Sequence, residues 1–276
     1  MKNQLVDLEP QRVSACAELS VLHLEGRSRL SRLYQEGAAK IRLPRADSAP
    51  LEAVLINTAG GLTGGDRLRW TVDVGRMASA TVTTQACEKV YRAETGRAEV
   101  SCNFSVGACG RLAWLPQETI VFDRAGFSRR LEADLGEGAE ALIVETTVFG
   151  RKAMGESVGR AMFADRWRIR RNGRLIHAED FSIGPDVADT LSRSAVTGGE
   201  IAIATILMVS DDTANQLEAA RTIVGEDGGV SAWKVAESGK LLARLFATDS
   251  YSLRKRLVPL IELLNGQAGL PKVWSL

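Results

Sequence analysis

The chain has 276 residues, 45% of them hydrophobic and 25% charged, an ordinary composition for a globular protein with a sizeable core. Its 35 basic and 34 acidic side chains leave a formal net charge of +1, which supplies no broad pull toward nucleic acid or an anionic membrane. Two histidines, His23 and His177, are too few for a histidine cage around a transition metal. Four cysteines without a Cys-x-x-Cys pair argue against a disulfide framework.

Residues 1–13 are polar and mixed in charge, without the apolar stretch of a secretion signal. No apolar run approaches the roughly 18 residues that a membrane span needs. Together with the cysteine usage, this leads to the expectation of a cytoplasmic protein. From about residue 18 to 183 the chain reads as short alternating segments separated by glycine-containing turns, as in Leu68-Arg69-Trp70-Thr71-Val72-Asp73-Val74 and Ala80-Thr81-Val82-Thr83-Thr84. A period of two marks half-buried strands. The basic run Arg166-Trp167-Arg168-Ile169-Arg170-Arg171 alternates in the same way and reads as a solvated strand face.

A weak repeat lies inside this region. Val72-Asp73-Val74-Gly75, Phe104-Ser105-Val106-Gly107 and Ala133-Asp134-Leu135-Gly136 each end a strand at glycine, turn, and start another strand, at spacings of 32 and 29 residues. Such units predict coils stacked side by side, although hairpins of a β-sandwich share the pattern. The expected fold is mainly β, with a stacked-strand, β-helix or solenoid-like body over residues 19–198.

After Gly199 the texture changes, and residues 199–276 predict a smaller α/β part. Glu200–Val209 has strand length. Asp211 or Asp212 caps a helix through Ala214, Leu217, Ala220 and Val224, ended by Gly225. Strands near Ser231–Glu237 and Leu241–Ala247 follow. Asp249 or Ser250 caps a second helix with Leu253, Leu257, Leu260, Ile261 and Leu264 on one stripe and Gly266 at its end. Pro259 falls inside it, where proline kinks or splits a helix. Two helices are expected in all.

The densest cluster of special residues is Gly60-Gly61-Leu62-Thr63-Gly64-Gly65-Asp66. No Gly-Lys-Ser/Thr follows, so a phosphate loop is not indicated. Next come Thr83-Thr84-Gln85 with Lys89-Val90-Tyr91-Arg92, and then Leu115-Pro116-Gln117-Glu118-Thr119-Ile120-Val121-Phe122. Glu118 stands between a proline and an apolar strand, and Glu145 ends Leu142-Ile143-Val144; a desolvated carboxylate in either place needs a partner or a cation.

In this order the blocks resemble the signature of the UreD (UreH) urease accessory family, as do Val148-Phe149-Gly150-Arg151 and the closing Leu270-Pro271-Lys272-Val273-Trp274. The likeness runs from about Leu24 to the C-terminus. Thr58-Ala59 lies outside the matched pattern, and Cys87 stands where small residues are usual, so the resemblance carries no metal role to its thiol. It implies a mainly β scaffold without catalytic activity, which acts with a helical UreF-like partner and a UreG-like GTPase on apo-urease. It further implies nickel as a transient cargo, with no tightly bound cofactor. An ion in transit needs oxygen ligands that release it, because tight histidine or cysteine coordination would hold it. Asp66, Glu118, Glu145 and Glu179 are the acids expected along such a route. Two other readings use the same fold: a carbohydrate-cleaving enzyme with Asp66 and Glu118 as paired carboxylates, and a purely structural solenoid. Aromatics at 5% are sparse for a groove that stacks sugars.

Overall fold

In the computed structural model the described residues are 11–44, 50–151, 155–211 and 213–275. The strand-forming segments are β1 (Ser14–Leu24), β2 (Arg27–Glu36), β3 (Ala39–Arg42), β4 (Leu51–Asn57), β5 (Arg67–Val74), β6 (Ser79–Thr84), β7 (Glu88–Val90), β8 (Ala98–Val106), β9 (Arg111–Leu115), β10 (Thr119–Val121), β11 (Gly126–Leu135), β12 (Glu140–Phe149), β13 (Met162–Arg171) and β14 (Arg174–Ile183). Then come α1 (Val187–Ser192), β15 (Ala202–Val209), α2 (Thr213–Val224), β16 (Gly228–Val235), β17 (Ser238–Ala247) and α3 (Ser250–Asn265).

The chain winds between two sheets. One has the order β14-β13-β11-β8-β5-β1-β2, and the other β16-β17-β15-β12-β9-β6-β4-β3. Within the winding part the neighbours are parallel: β1, β5, β8, β11 and β13 on one face, and β4, β6, β9 and β12 on the other. This is the stacked-coil body expected from the sequence. Val74 lies beside Val106 and Val106 beside Leu135, so the 32- and 29-residue repeat is the coil itself. At each corner the glycine N–H continues the ladder, Gly107 to Val74 O and Gly136 to Val106 O, both at 2.7 Å. A Cβ at Gly107 would come 2.7 Å from Arg76 N, so close stacking of the turns demands glycine there.

Side chains in phase with the alternation fill the space between the sheets, among them Leu19, Val72, Phe104, Leu131, Ile143 and Trp167. The other face of the second sheet is covered by α2 and α3, whose Val224, Leu253, Leu257, Leu260 and Ile261 pack on Leu142, Val144, Ile206 and Leu241. The apolar stripe of α3 is thus a core face. Asp249 caps that helix by accepting from Ser252 N at 2.7 Å. Gly266 ends it, and it runs unbroken through Pro259.

The two expected helices are present as α2 and α3, and among the described residues there is a third, shorter one. The additional one, α1, has six residues, too few to carry a helical apolar period, and it buries only Val187 and Leu191. Asp212 lies outside the described residues. Strands β15 and β17 continue the second sheet antiparallel from β12, so the C-terminal segment extends the body's own sheet. No helix of the described residues is long and apolar enough to cross a membrane, and all four cysteines are free thiols.

Candidate functional site

The coils have a third, short side. Leu62 bridges to Val90, β7 pairs with β10, and β10 pairs with Thr147–Phe149 of β12, all parallel. The special sequence blocks therefore stack on successive coils at one corner. Leu62 N donates to Lys89 O at 2.7 Å, Tyr91 N donates to Leu62 O at 2.8 Å, and Gly150 N donates to Val121 O at 2.8 Å. One glycine of each pair, Gly61 and Gly64, is needed because the next coil presses on it. A Cβ at Gly61 would lie 2.4 Å from the Tyr91 ring, and one at Gly64 would lie 2.0 Å from Thr95 O.

Asp66 closes the glycine loop. It is buried; Oδ2 accepts from Thr63 N at 2.7 Å and Oδ1 from Val13 N at 2.8 Å. Two backbone amides, one within the glycine loop and one just before β1, thus hold its carboxylate.

Glu118 is also buried. Its carboxylate takes a two-pronged ion pair from Arg254 on α3, Nε to Oε1 at 2.6 Å and Nη2 to Oε2 at 2.7 Å. The Cys87 thiol donates to Oε2 at 3.3 Å. Burial pushes the Glu118 carboxyl up, but the Arg254 hydrogen bonds and charge outweigh it and hold it below the usual value. Burial and the Glu118 charge push the Cys87 thiol up to about 11, so it stays protonated. Arg254 also donates to Gln117 Oε1 and lies 5.2 Å from the Trp274 ring centre. Trp274 Nε1 donates to Leu115 O at 3.1 Å, which brings the closing Leu270–Trp274 block to the same corner. Beside it a cavity of about 280 Å³ is lined by Asn57, Cys87 and Glu88. Burial pushes the Glu88 carboxyl up to about 7, and Asn57 Nδ2 donates to it at 3.1 Å.

Between the sheets lies a second charged group. Arg129 of β11 pairs with Asp165 of β13, Nε to Oδ1 at 3.1 Å and Nη2 to Oδ2 at 2.6 Å. Its Nη1 lies 2.5 Å from Glu145 Oε2 of β12, in ionic contact without a well-aligned hydrogen bond. Trp114 Nε1 donates to Glu145 Oε1 at 2.8 Å, and Trp167 Nε1 donates to Asp165 Oδ1 at 3.0 Å. All three charged side chains are buried. One guanidinium neutralises one carboxylate and Asp165 has the better geometry, so Glu145 is the excess acid. Burial pushes its carboxyl above the usual range against the pull of Arg129, with help from the Asp165 charge.

The family model described as the UreD urease accessory protein matches residues 13–275. A urease accessory protein UreD of Mesorhizobium japonicum is 62% identical over 96% of this chain and 95% of its own length. The UreD 1 protein of Brucella melitensis is 58% identical over 99% of this chain and 98% of its own, and that of Brucella anthropi is 55% identical over the same shares. The chain belongs to the UreD family of urease accessory proteins.

In this UreD-family chain the four acids singled out from the sequence are not brought together. Asp66 is held by backbone amides, Glu118 by Arg254, and Glu145 by Arg129 inside the body. Glu179 of β14, an edge strand of the first sheet, pairs with Arg244 of β17 in the second sheet at 2.5 Å. Among the described residues no group of three or more histidine, cysteine or acidic side chains is placed to hold a metal. Arg129, Asp165 and Arg254 were not among the residues expected from the sequence. A signal for the first two was present: Phe127-x-Arg129-x-Leu131 and Phe163-x-Asp165-x-Trp167 place a charge in phase with buried apolar residues, and such a charge must find a partner inside. Arg254 gave no signal, because its partner is 136 residues away.

Proposed function

We propose that this chain is a scaffold in urease maturation, acting with a UreF-like helical accessory protein and a UreG-like GTPase on apo-urease in the cytoplasm. In this reading nickel is its cargo and passes transiently through the interior between the two sheets. Membership of the UreD family supports the maturation role. The observation that carries the passage is the buried Glu145–Arg129–Asp165 group, where two carboxylates share one guanidinium. A structural ion pair needs one acid; the second is an oxygen donor that a divalent ion would take over from Arg129. Glu118 and Asp66 stand toward the motif-bearing corner, and Glu179 beside Arg244 between β14 and β17, as further carboxylates on such a route. Each would have to exchange its present partner for the ion, which suits transient binding and opposes trapping.

The carbohydrate-cleaving alternative asks Asp66 and Glu118 to act as acid and base. Both are buried and engaged by partners of their own, and nothing in the geometry favours that reading. The test is complementation. Cells that carry urease genes and lack their own UreD-type gene are supplied with this chain, and urease activity and co-purification with the UreF-like protein are measured. Restored activity with co-purification is expected; activity independent of the chain would overturn the proposal.

A further inference from the structure

Away from the motif-bearing corner, the 136–139 turn and two β-hairpins surround a cavity of about 500 Å³. Its wall includes Glu137 of the turn, Arg171 and Arg174 of the β13–β14 hairpin, Asp211 after β15, and Glu237 and Ser238 of the β16–β17 hairpin. The proposed nickel route uses none of these residues.

Two donors of this wall have no acceptor. Ser238 is fully buried, and its hydroxyl makes no hydrogen bond. Arg171 Nε is buried and unpartnered as well, while Nη2 of the same guanidinium donates to Ala139 O. Among the described residues no carboxylate pairs with Arg171. Lys240, also buried, lies two residues beyond Ser238 on β17 and donates to the carbonyl of Ile176, another wall residue. Buried donors left without acceptors cost stability, and a carboxylate offers two oxygens to this N–H and this O–H. The acids lie differently. Glu137, Asp211 and Glu237 are all exposed and outnumber Arg174, the exposed base of the wall. The mouth of the cavity is therefore negative and its buried side cationic.

The two hairpins differ at their tips. Each closes on a two-residue turn, Asn172-Gly173 between Arg171 and Arg174, and Ala236-Glu237 between Val235 and Ser238. All four turn residues have positive φ, 48° and 77° in the first, 46° and 65° in the second. Asn-Gly is the favoured pair for such a turn, whereas Ala and Glu are strained in that conformation. The second hairpin carries this strain and sets a carboxylate at the mouth, the pattern of a turn kept for a site.

We infer that this cavity binds a small molecule that carries both a carboxylate and an ammonium group, the chemistry of a free amino acid. The carboxylate meets Ser238 and Arg171, and the ammonium meets Glu237 and the acids beside it. A plain oxyanion would satisfy the donors but be repelled by the acids, and a plain amine would leave the donors unmet. The inference goes beyond the proposed function and does not depend on nickel passing through the chain.

The test is calorimetric titration of the full chain with glycine, glutamine and arginine, beside acetate and methylammonium, which carry one charge each. At least one amino acid should bind, and more tightly than either single-charge probe. Ser238→Ala should weaken that binding about tenfold, while its melting temperature without ligand stays equal to wild type or rises, because only an unpartnered hydroxyl is lost. The A236N/E237G variant, which copies the turn of the other hairpin, should melt higher than wild type without ligand and yet bind more weakly. Absence of binding by all three amino acids, acetate binding as tightly as they do, or undiminished binding by either variant would overturn the inference. A lower melting temperature of Ser238→Ala would also overturn it, since the hydroxyl would then serve the fold.

Discussion

Asp66 shows how one residue admits two readings that substitution separates. Both of its oxygens accept backbone N–H groups, so Asp66→Asn keeps one acceptor and Asp66→Ala keeps none. At about 1 kcal/mol for each such bond, Asn should cost about 1 kcal/mol and Ala about 2; urease activation falling only in step with that loss would assign Asp66 to the turn. Loss of activation at preserved stability and partner binding would assign Asp66 to the ion. Glu145 makes a prediction in pH. Its folded carboxyl titrates above the ordinary value because burial opposes the charge. Its stabilising contribution is therefore fully present below the unfolded value of about 4.5 and is lost as pH rises through the raised folded value. His177 acts oppositely in the same window. Burial, with Lys240 and Arg244 nearby, pushes it down to about 4, so its contribution is lost as pH falls below the unfolded value of about 6.5. The difference between wild type and Glu145→Gln isolates the carboxyl. The variant, measured by denaturant unfolding, should lose less stability than wild type between about pH 5 and 8; identical pH profiles would contradict the assignment.

Among the elements, α3 is tied to the coil corner by a charge pair as well as by its apolar stripe. Arg254→Ala would leave the Glu118 carboxylate buried without its cation, and should destabilise by about 3 kcal/mol. Combining it with Glu118→Gln should recover part of that loss; equal stability of the single and double variants would mean that the pair is not coupled. The corner glycines give a steric counterpart. Gly107→Ala puts a methyl 2.7 Å from a backbone nitrogen and should cost about 1–3 kcal/mol, whereas Gly229→Ala, with open space around it, should cost far less. The strands, the repeat and the two long helices were legible because each carries a period or a cap over many residues. Helix α1 was not, since six residues hold less than two turns. The Arg254–Glu118 tie was not legible either, since chain-distant pairing leaves no local pattern.

In the whole molecule, winding turns sequence blocks 30 or so residues apart into neighbours on one corner, and turns in-phase charges into an interior group. Alternation predicted the first coil by coil: Gly75, Gly107 and Gly136 mark the turns that stack. The acids singled out from the sequence were found buried or half-buried, yet their partners were not foreseen. A partner depends on which strands become neighbours, and the register is settled by the third dimension. In the proposed function the excess interior acid serves the cargo. Glu145→Gln keeps the Arg129–Asp165 pair and removes only that acid, so folding and partner assembly should be intact. The direct measurement is the nickel content of urease matured with the variant chain, beside the chain's own unfolding stability. Undiminished stability with nickel loading reduced severalfold is expected; full nickel loading by an equally stable variant would rule out a cargo role for Glu145.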